Sequence, residues 1–255
     1  MTDPTEDYLA AIAHHSEGLA AAARDNLSAP VEHCPGWTVA DLVWHVTEVH
    51  WFWRTIAGEL LSEPPDEDRR PARSPDEALV DVFLAGAVEL VDTLRATDQS
   101  AGCWTWANTQ KDVAFVTRHQ VQEAAVHHWD AAHAADEAIG PDFFTEDVAT
   151  DSVEEFLEFS LSTDADPGTG LASLEGAFWF RTPRREWYVS DGDAPGTLTT
   201  STTRPADNPD EVVVQCSATT LLLWLYGRVP DEEFFGDISV DTGLLGRFRA
   251  LCFTD

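Results

Sequence analysis

The chain has 255 residues, 44% of them hydrophobic, which is enough to bury a full-sized core as one large domain or two modest ones. Fifteen basic residues stand against 46 acidic ones, a net charge of −31, and Lys111 is the only lysine. A phosphate backbone needs clustered cations, so nucleic acid is excluded as a partner. The apolar runs are short and broken by charge, and residues 1–7 are acidic, so neither a membrane span nor a signal peptide is expected and a cytoplasmic location follows. Cys34, Cys103, Cys216 and Cys252 form no CxxC pair, which argues for reduced thiols and against a cysteine-rich zinc site.

Apolar residues at helical spacing (Leu9, Ile12, Leu19, Ala23) predict a first helix over 5–26. Cys34-Pro35-Gly36-Trp37 then breaks the chain, and Thr38 followed by Asp41 has the form of a capping box opening a second helix to about residue 61. Along it Leu42, His45, Val49, Phe52 and Ile56 recur at steps of three and four, placing His45 in a buried stripe. Proline-rich residues 62–74 read as an exposed connection, after which Ser74 as cap and Pro75 at the first position start a third helix to about residue 96. A fourth helix, free of Gly and Pro, is expected over 111–135, and a fifth over 145–159 closes this half. Together they imply a four-helix bundle over residues 1–163.

The acidic, Pro/Gly-rich stretch 164–170 is the expected domain boundary. Beyond it, short aromatic or β-branched runs predict strands over 174–180, 186–190 and 211–215, a helix capped by Ser217 over 218–226, and a last strand within 234–240. Residues 171–255 thus form a small α+β domain.

Glu123 and His127 lie four apart on the fourth helix, stacked on one face within reach of a single ion. Opposed by His45 from a facing helix, they make a two-histidine, one-carboxylate set suited to zinc or another first-row divalent metal, with a coordination position left open. The same spacing also occurs on solvated helices. His119, one turn earlier, competes as a ligand, and Asp130 is placed to orient His127. His128 points away and reads as peripheral, His50 and His133 as supporting or exposed, and His14, His15 and His33 as surface or loop residues. The aromatic residues Trp44, Trp51, Phe52 and Trp53 suit core packing better than a pocket, and Cys34 reads as a packed helix-entry residue with no base nearby in sequence. Nucleophile-elbow, metalloprotease and nucleotide-loop motifs are missing.

The stretch Cys34-Pro-Gly-Trp-Thr-Val-Ala-Asp-Leu-Val-Trp-His45, with Glu123-Ala-Ala-Val-His127-His-Trp-Asp130, resembles the mycothiol-dependent maleylpyruvate isomerase family, and Leu223-Trp224-Leu225-Tyr226-Gly227-Arg228 resembles its C-terminal element. The resemblance implies a DinB-like four-helix bundle carrying the metal and a small C-terminal α/β domain of sterol-carrier-like look. It also implies His45, Glu123 and His127 as zinc ligands, Arg228 as a catalytic or thiol-binding residue, and mycothiol as cosubstrate acting on a small electrophilic substrate, by isomerisation or thiol transfer. As a monomer or homodimer, such a protein needs only small-molecule partners. Two other readings share the ligand set: a non-catalytic metal- or ligand-binding stress-response module, and a thiol-independent metal hydrolase.

Overall fold

Helices α1 (Pro4–Ala23), α2 (Val39–Glu59), α3 (Asp76–Ala96), α4 (Val113–Ala134) and α5 (Glu146–Phe159) come first in the chain. Strands β1 (Ala177–Arg181), β2 (Glu186–Asp191), β3 (Leu198–Ser201) and β4 (Glu211–Gln215) follow, then α6 (Ala218–Leu225), α7 (Asp231–Phe235) and α8 (Thr242–Ala250). The computed structural model describes residues 4–137, 139, 143–161, 172–205 and 210–252. None of the described helices is long and apolar enough to cross a membrane. By its contacts the chain divides into two units, Met1–Phe144 and Thr145–Asp255. The expected α+β class, a helical bundle followed by a small sheet domain, is what the chain forms.

In the first unit α1 packs on α3 and α4, and α2 on α3 and α4. Leu19, Val39, Leu42, Val43, Leu79 and Phe83 are fully enclosed between them, and each such side chain contributes about 1.5–3 kcal/mol by leaving water. The capping box forms: the Asp41 amide donates to the Thr38 hydroxyl at 3.3 Å and the Thr38 amide to Asp41 Oδ2 at 2.9 Å. At α3 the expectation fails. Pro75, not Ser74, holds the cap position, with no side-chain cap. Pro75 is itself extended, with ψ 149°, so the helix starts one residue later and the serine hydroxyl falls one residue short of the free amides. On α2 the enclosed face runs through Val43, Val46, His50, Trp53 and Ala57, while His45, Val49 and Phe52 border it half-buried.

Two histidines expected at the surface or periphery lie inside. His15 Nδ1 faces His128 Nδ1 at 3.1 Å, with Phe143 packed against both rings and Phe144 against His15. The His128 ring lies directly on the α1 backbone at Gly18, where an added Cβ would come within 2.1 Å of His128 Cε1.

The sheet of the second unit has the order β3-β2-β1-β4. It is antiparallel except for the parallel β1–β4 pair, which aligns Phe178 with Val212 and Phe180 with Val214. Phe178 and Phe180 pack on Trp224 and Phe248, and Trp224 stacks on Phe234 at 4.3 Å. Residues 164–170 lie outside the described residues, and α5 belongs with this second unit rather than with a 1–163 bundle. Its buried face meets α6, Phe156 touching Tyr226 at 5.0 Å, while Asp147 and Glu154 pair with Arg184 and Arg185 of the β1–β2 turn. The strand expected within 234–240 is replaced by α7. Pro230 and three acidic residues favour a helix start there, and adjacent Phe234 and Phe235 are both buried, which alternation does not allow. Helix α8, hidden in the sequence by Gly243 and Gly246, is capped by Asp241, which accepts from the Leu244 amide at 2.8 Å.

Two outcomes follow from the buried histidines. Alanine is ordinarily worth about 1 kcal/mol over glycine inside a helix, yet Gly18→Ala is expected to destabilise by about 1–3 kcal/mol because the wedged His128 ring has no room to retreat; a raised denaturation midpoint would refute this packing. Burial first, with nearby imidazoles, pushes His15 down to about 3 and His128 to about 4, and burial chiefly pushes His50 down to about 4. Unfolded, these groups ionise near pH 6.5, so between there and about pH 4 the unfolded chain binds more protons and stability falls as pH is lowered. Thermal unfolding should show a lower midpoint at pH 5 than at 7.5. His128→Phe should shrink the gap, and an unchanged gap would exclude His128 from it.

Candidate metal centre

Capped by Asp112, whose Oδ1 accepts from the Phe115 amide at 3.0 Å, α4 aligns His119, Glu123 and His127 at successive steps of four along one face. His127 Nε2 lies 3.7 Å from Glu123 Oε2, and His119 Nε2 lies 3.8 Å from Glu123 Oε1, so one carboxylate stands between two imidazoles. From α2, His45 meets the His127 ring edge-on with centroids 5.2 Å apart, and Trp37 backs His45 at 5.0 Å. One donor atom each from His45, Glu123 and His127 falls within 4.8 Å of the others, all three residues being half-buried.

Hydrogen bonds sort the imidazoles. Asp130, almost fully buried, faces His127 Nδ1 through Oδ2 at 3.1 Å. A carboxylate only accepts, so Nδ1 carries a proton, and in the neutral ring Nε2 turns a bare lone pair toward Glu123. At His119 the Gln122 amide nitrogen donates to Nδ1 at 3.3 Å, which leaves the ring proton on Nε2, facing Glu123 Oε1. His119 thus acts as a donor toward the carboxylate, and His127 as a lone-pair donor to a cation. An ion bound at about 2.0–2.2 Å to each of two tetrahedral ligands holds them roughly 3.4 Å apart, close to the His127–Glu123 separation, so that pair suits one divalent ion, with a His45 nitrogen within 4.8 Å of both. Burial raises the Glu123 carboxyl, but electrostatic interaction with the imidazoles of His127, His119, His45 and His50 outweighs it and holds the group below its ordinary range.

Around His119 the aromatic residues close in. Phe115 stacks on it at 5.4 Å, with Trp106 at 5.3 Å and Trp53 at 5.6 Å edge-on. Cys34, expected only to pack at the helix entry, also donates its thiol to Asp130 Oδ2 at 3.9 Å. Its partner is 96 residues away in sequence, and the one local signal is its place before the Pro-Gly-Trp turn. His50, on α2 one turn beyond His45, stacks on Phe83 at 5.4 Å and is wholly buried. Arg228 lies in the second unit, half-buried, its Nη1 donating to the Tyr226 carbonyl at 2.7 Å. Gly227 beside it takes φ +74°, a left-handed turn that ends α6.

Residues 8–132, which carry His45, Glu123 and His127, match the family model described as the mycothiol maleylpyruvate isomerase N-terminal domain. That match shows a domain of this family within the first unit of the chain. Among solved structures, a mycothiol-dependent maleylpyruvate isomerase aligns over 91% of this chain and 94% of its own at 17% identity, with a TM-score of 0.57. A histidine-to-alanine mutant of such an enzyme aligns over 89% and 93% at 15% identity, with a TM-score of 0.49. At that identity the first likeness concerns the fold, which it extends across both units of the chain. No curated protein matches the chain. The family segment ends at residue 132 and so includes the Asp130 support of His127 but not Arg228.

If Asp130 holds His127 as drawn, Asp130→Asn should weaken metal binding about 10–100-fold, measured by competition with a chromogenic chelator. Unchanged affinity would detach Asp130 from the centre.

Proposed function

We propose that the chain is a cytoplasmic, metal-dependent enzyme of the maleylpyruvate isomerase type that uses mycothiol to isomerise, or to conjugate, a small electrophile. The observation that carries this reading is the His45–Glu123–His127 trio, assembled from two facing helices inside the segment that matches the family. Zinc is the ion proposed, because two imidazoles and one carboxylate suit a borderline divalent metal and leave a position open. A divalent ion there would lower the pKa of a thiol that reaches the open position and so supply a nucleophilic sulfur at neutral pH.

The chain's own residues have separable tasks. His45, Glu123 and His127 hold the ion. Asp130 keeps the His127 proton on Nδ1, and His119 steadies the far oxygen of Glu123. Trp53, Trp106 and Phe115 exclude water on the His119 side. Arg228 is proposed as the cation that receives a carboxylate of the thiol or the substrate. In isomerisation the sulfur adds to one carbon of a cis double bond, the resulting single bond rotates, and the carbanion expels the thiolate as the trans bond forms. In conjugation the sulfur displaces a leaving group and stays. The net charge of −31 repels a dianion, which favours substrates of lower charge and keeps conjugation level with isomerisation.

Purified protein should hold about one zinc per chain, and His45→Ala or His127→Ala should lose most of it. With mycothiol present, a cis-enedione acid or an aryl halide should be consumed, and Arg228→Ala should raise KM about tenfold or more while zinc is retained. Turnover without thiol would point to a metal hydrolase, and none with any electrophile to a binding module; either result overturns the reading.

A further inference from the structure

We propose that Glu32, His33 and His133 form a second divalent-metal site that ties the turn before α2 to the last turn of α4. One donor atom from each of the three lies within 4.8 Å of the others, and none of the three belongs to the His45–Glu123–His127 trio. His133 Nε2 already meets Glu32 Oε2 at 2.9 Å, and the two imidazole rings lie 5.6 Å apart.

The parts are held in place before any ion arrives. The Val31 amide donates to the Trp37 carbonyl at 2.9 Å and the Val39 amide to the Ala29 carbonyl at 2.9 Å, which closes the turn bearing Glu32 and His33. Trp129, itself buried, stacks flat on His133 at 4.8 Å with 8° between the planes and touches His33 at 5.4 Å. Binding therefore loses little rotamer freedom at two of three ligands.

Chemistry selects the cation. Two imidazoles with one carboxylate suit zinc, nickel, copper or cobalt and disfavour calcium and magnesium, which want oxygen alone. Side-chain exposures of 69% for Glu32 and 41% for His133 leave the remaining positions to water, so this ion exchanges more readily than one in the half-buried trio. The surrounding charge of −31 raises the local concentration of any divalent cation.

Nickel is the probe, because it binds imidazole and quenches a tryptophan stacked on its ligand. Full-length protein titrated with Ni²⁺ by calorimetry and native mass spectrometry should take two ions. His33→Ala/His133→Ala should take one, at the affinity of the tighter wild-type site, and His45→Ala/His127→Ala should keep the weaker one. Glu32→Gln should weaken the second ion about tenfold or more. Trp129→Phe should keep the stoichiometry and lose the fluorescence quench that accompanies the second ion. A wild-type protein that binds no ion beyond the trio's, or a second ion unaffected in His33→Ala/His133→Ala, overturns the proposal. Failure of the trio's assignment is distinguishable, since it appears as unchanged binding in His45→Ala/His127→Ala.

Discussion

Across 3.7 Å of half-buried space, a Glu123 oxygen faces Nε2 of His127, and the proton of a neutral ring is committed to Asp130 on its other side. With the ring neutral, two acceptors set against each other away from bulk water repel, and the repulsion grows as the local dielectric falls. A cation between them removes it. The architecture of the bundle can be read as the means of maintaining that opposition. Helical spacing stacks both groups on α4, Asp112 fixes where α4 begins, and the Thr38–Asp41 box sets where α2 begins and hence where His45 arrives. Asp41 is well suited to that anchoring. The Thr38 amide, then Arg73, hold its carboxyl down at about 2, so the cap stays charged through any ordinary pH.

All nine histidines fall in the first unit, and the second contains none. The second unit instead relies on arginine. Arg249 donates to the carbonyls of Trp224 and Leu225 and pairs with Asp231, and Arg247 donates to the Leu174 carbonyl. The Arg249 contacts add donors to carbonyls of the last turn of α6, where positive charge is also favoured by the helix dipole. The turn that bears Arg228 is therefore anchored through Arg249, a residue with no distinguishing mark in sequence.

What could be read from the sequence was whatever depends on local spacing. The i, i+4 pair on α4, the capping box of α2 and the strands of β1, β2 and β4 all express periodicity or a cap within one or two turns. The choice among neighbouring histidines was harder to read. His45 and His50 lie about 140° apart around α2, and an apolar-stripe count put the wrong one deepest, because Trp53 and Phe83 draw the core toward His50. His119 and His127 are indistinguishable by spacing, and only their partners, Gln122 and Asp130, separate the donor from the ligand. Long-range pairings gave no local signal at all. Cys34 with Asp130, His15 with His128 and α5 with α6 each join segments tens of residues apart or more, and so each is decided by packing.

Polar groups are costly inside a bundle, and this one carries several near Glu123. Both ring nitrogens of His50 and both amide atoms of Gln120, one turn before Glu123, are buried without a hydrogen-bond partner. Each such group costs about 1–3 kcal/mol relative to a satisfied one. A core selected for stability alone would place leucine at such positions, as it does at Leu19, Leu42 and Leu79 in the part of the bundle where the four helices meet. The apolar cluster supplies the stability that the polar stretch of α4 gives up, and local rules of packing are broken where the chemistry is proposed to occur. On this view the low amphipathicity of α4, whose buried residues include His119, Gln120, Gln122, His128 and Asp130, reflects a helix that buries polar side chains on more than one face, Asp130 and Gln122 to orient the imidazoles beside Glu123 and His128 to meet His15.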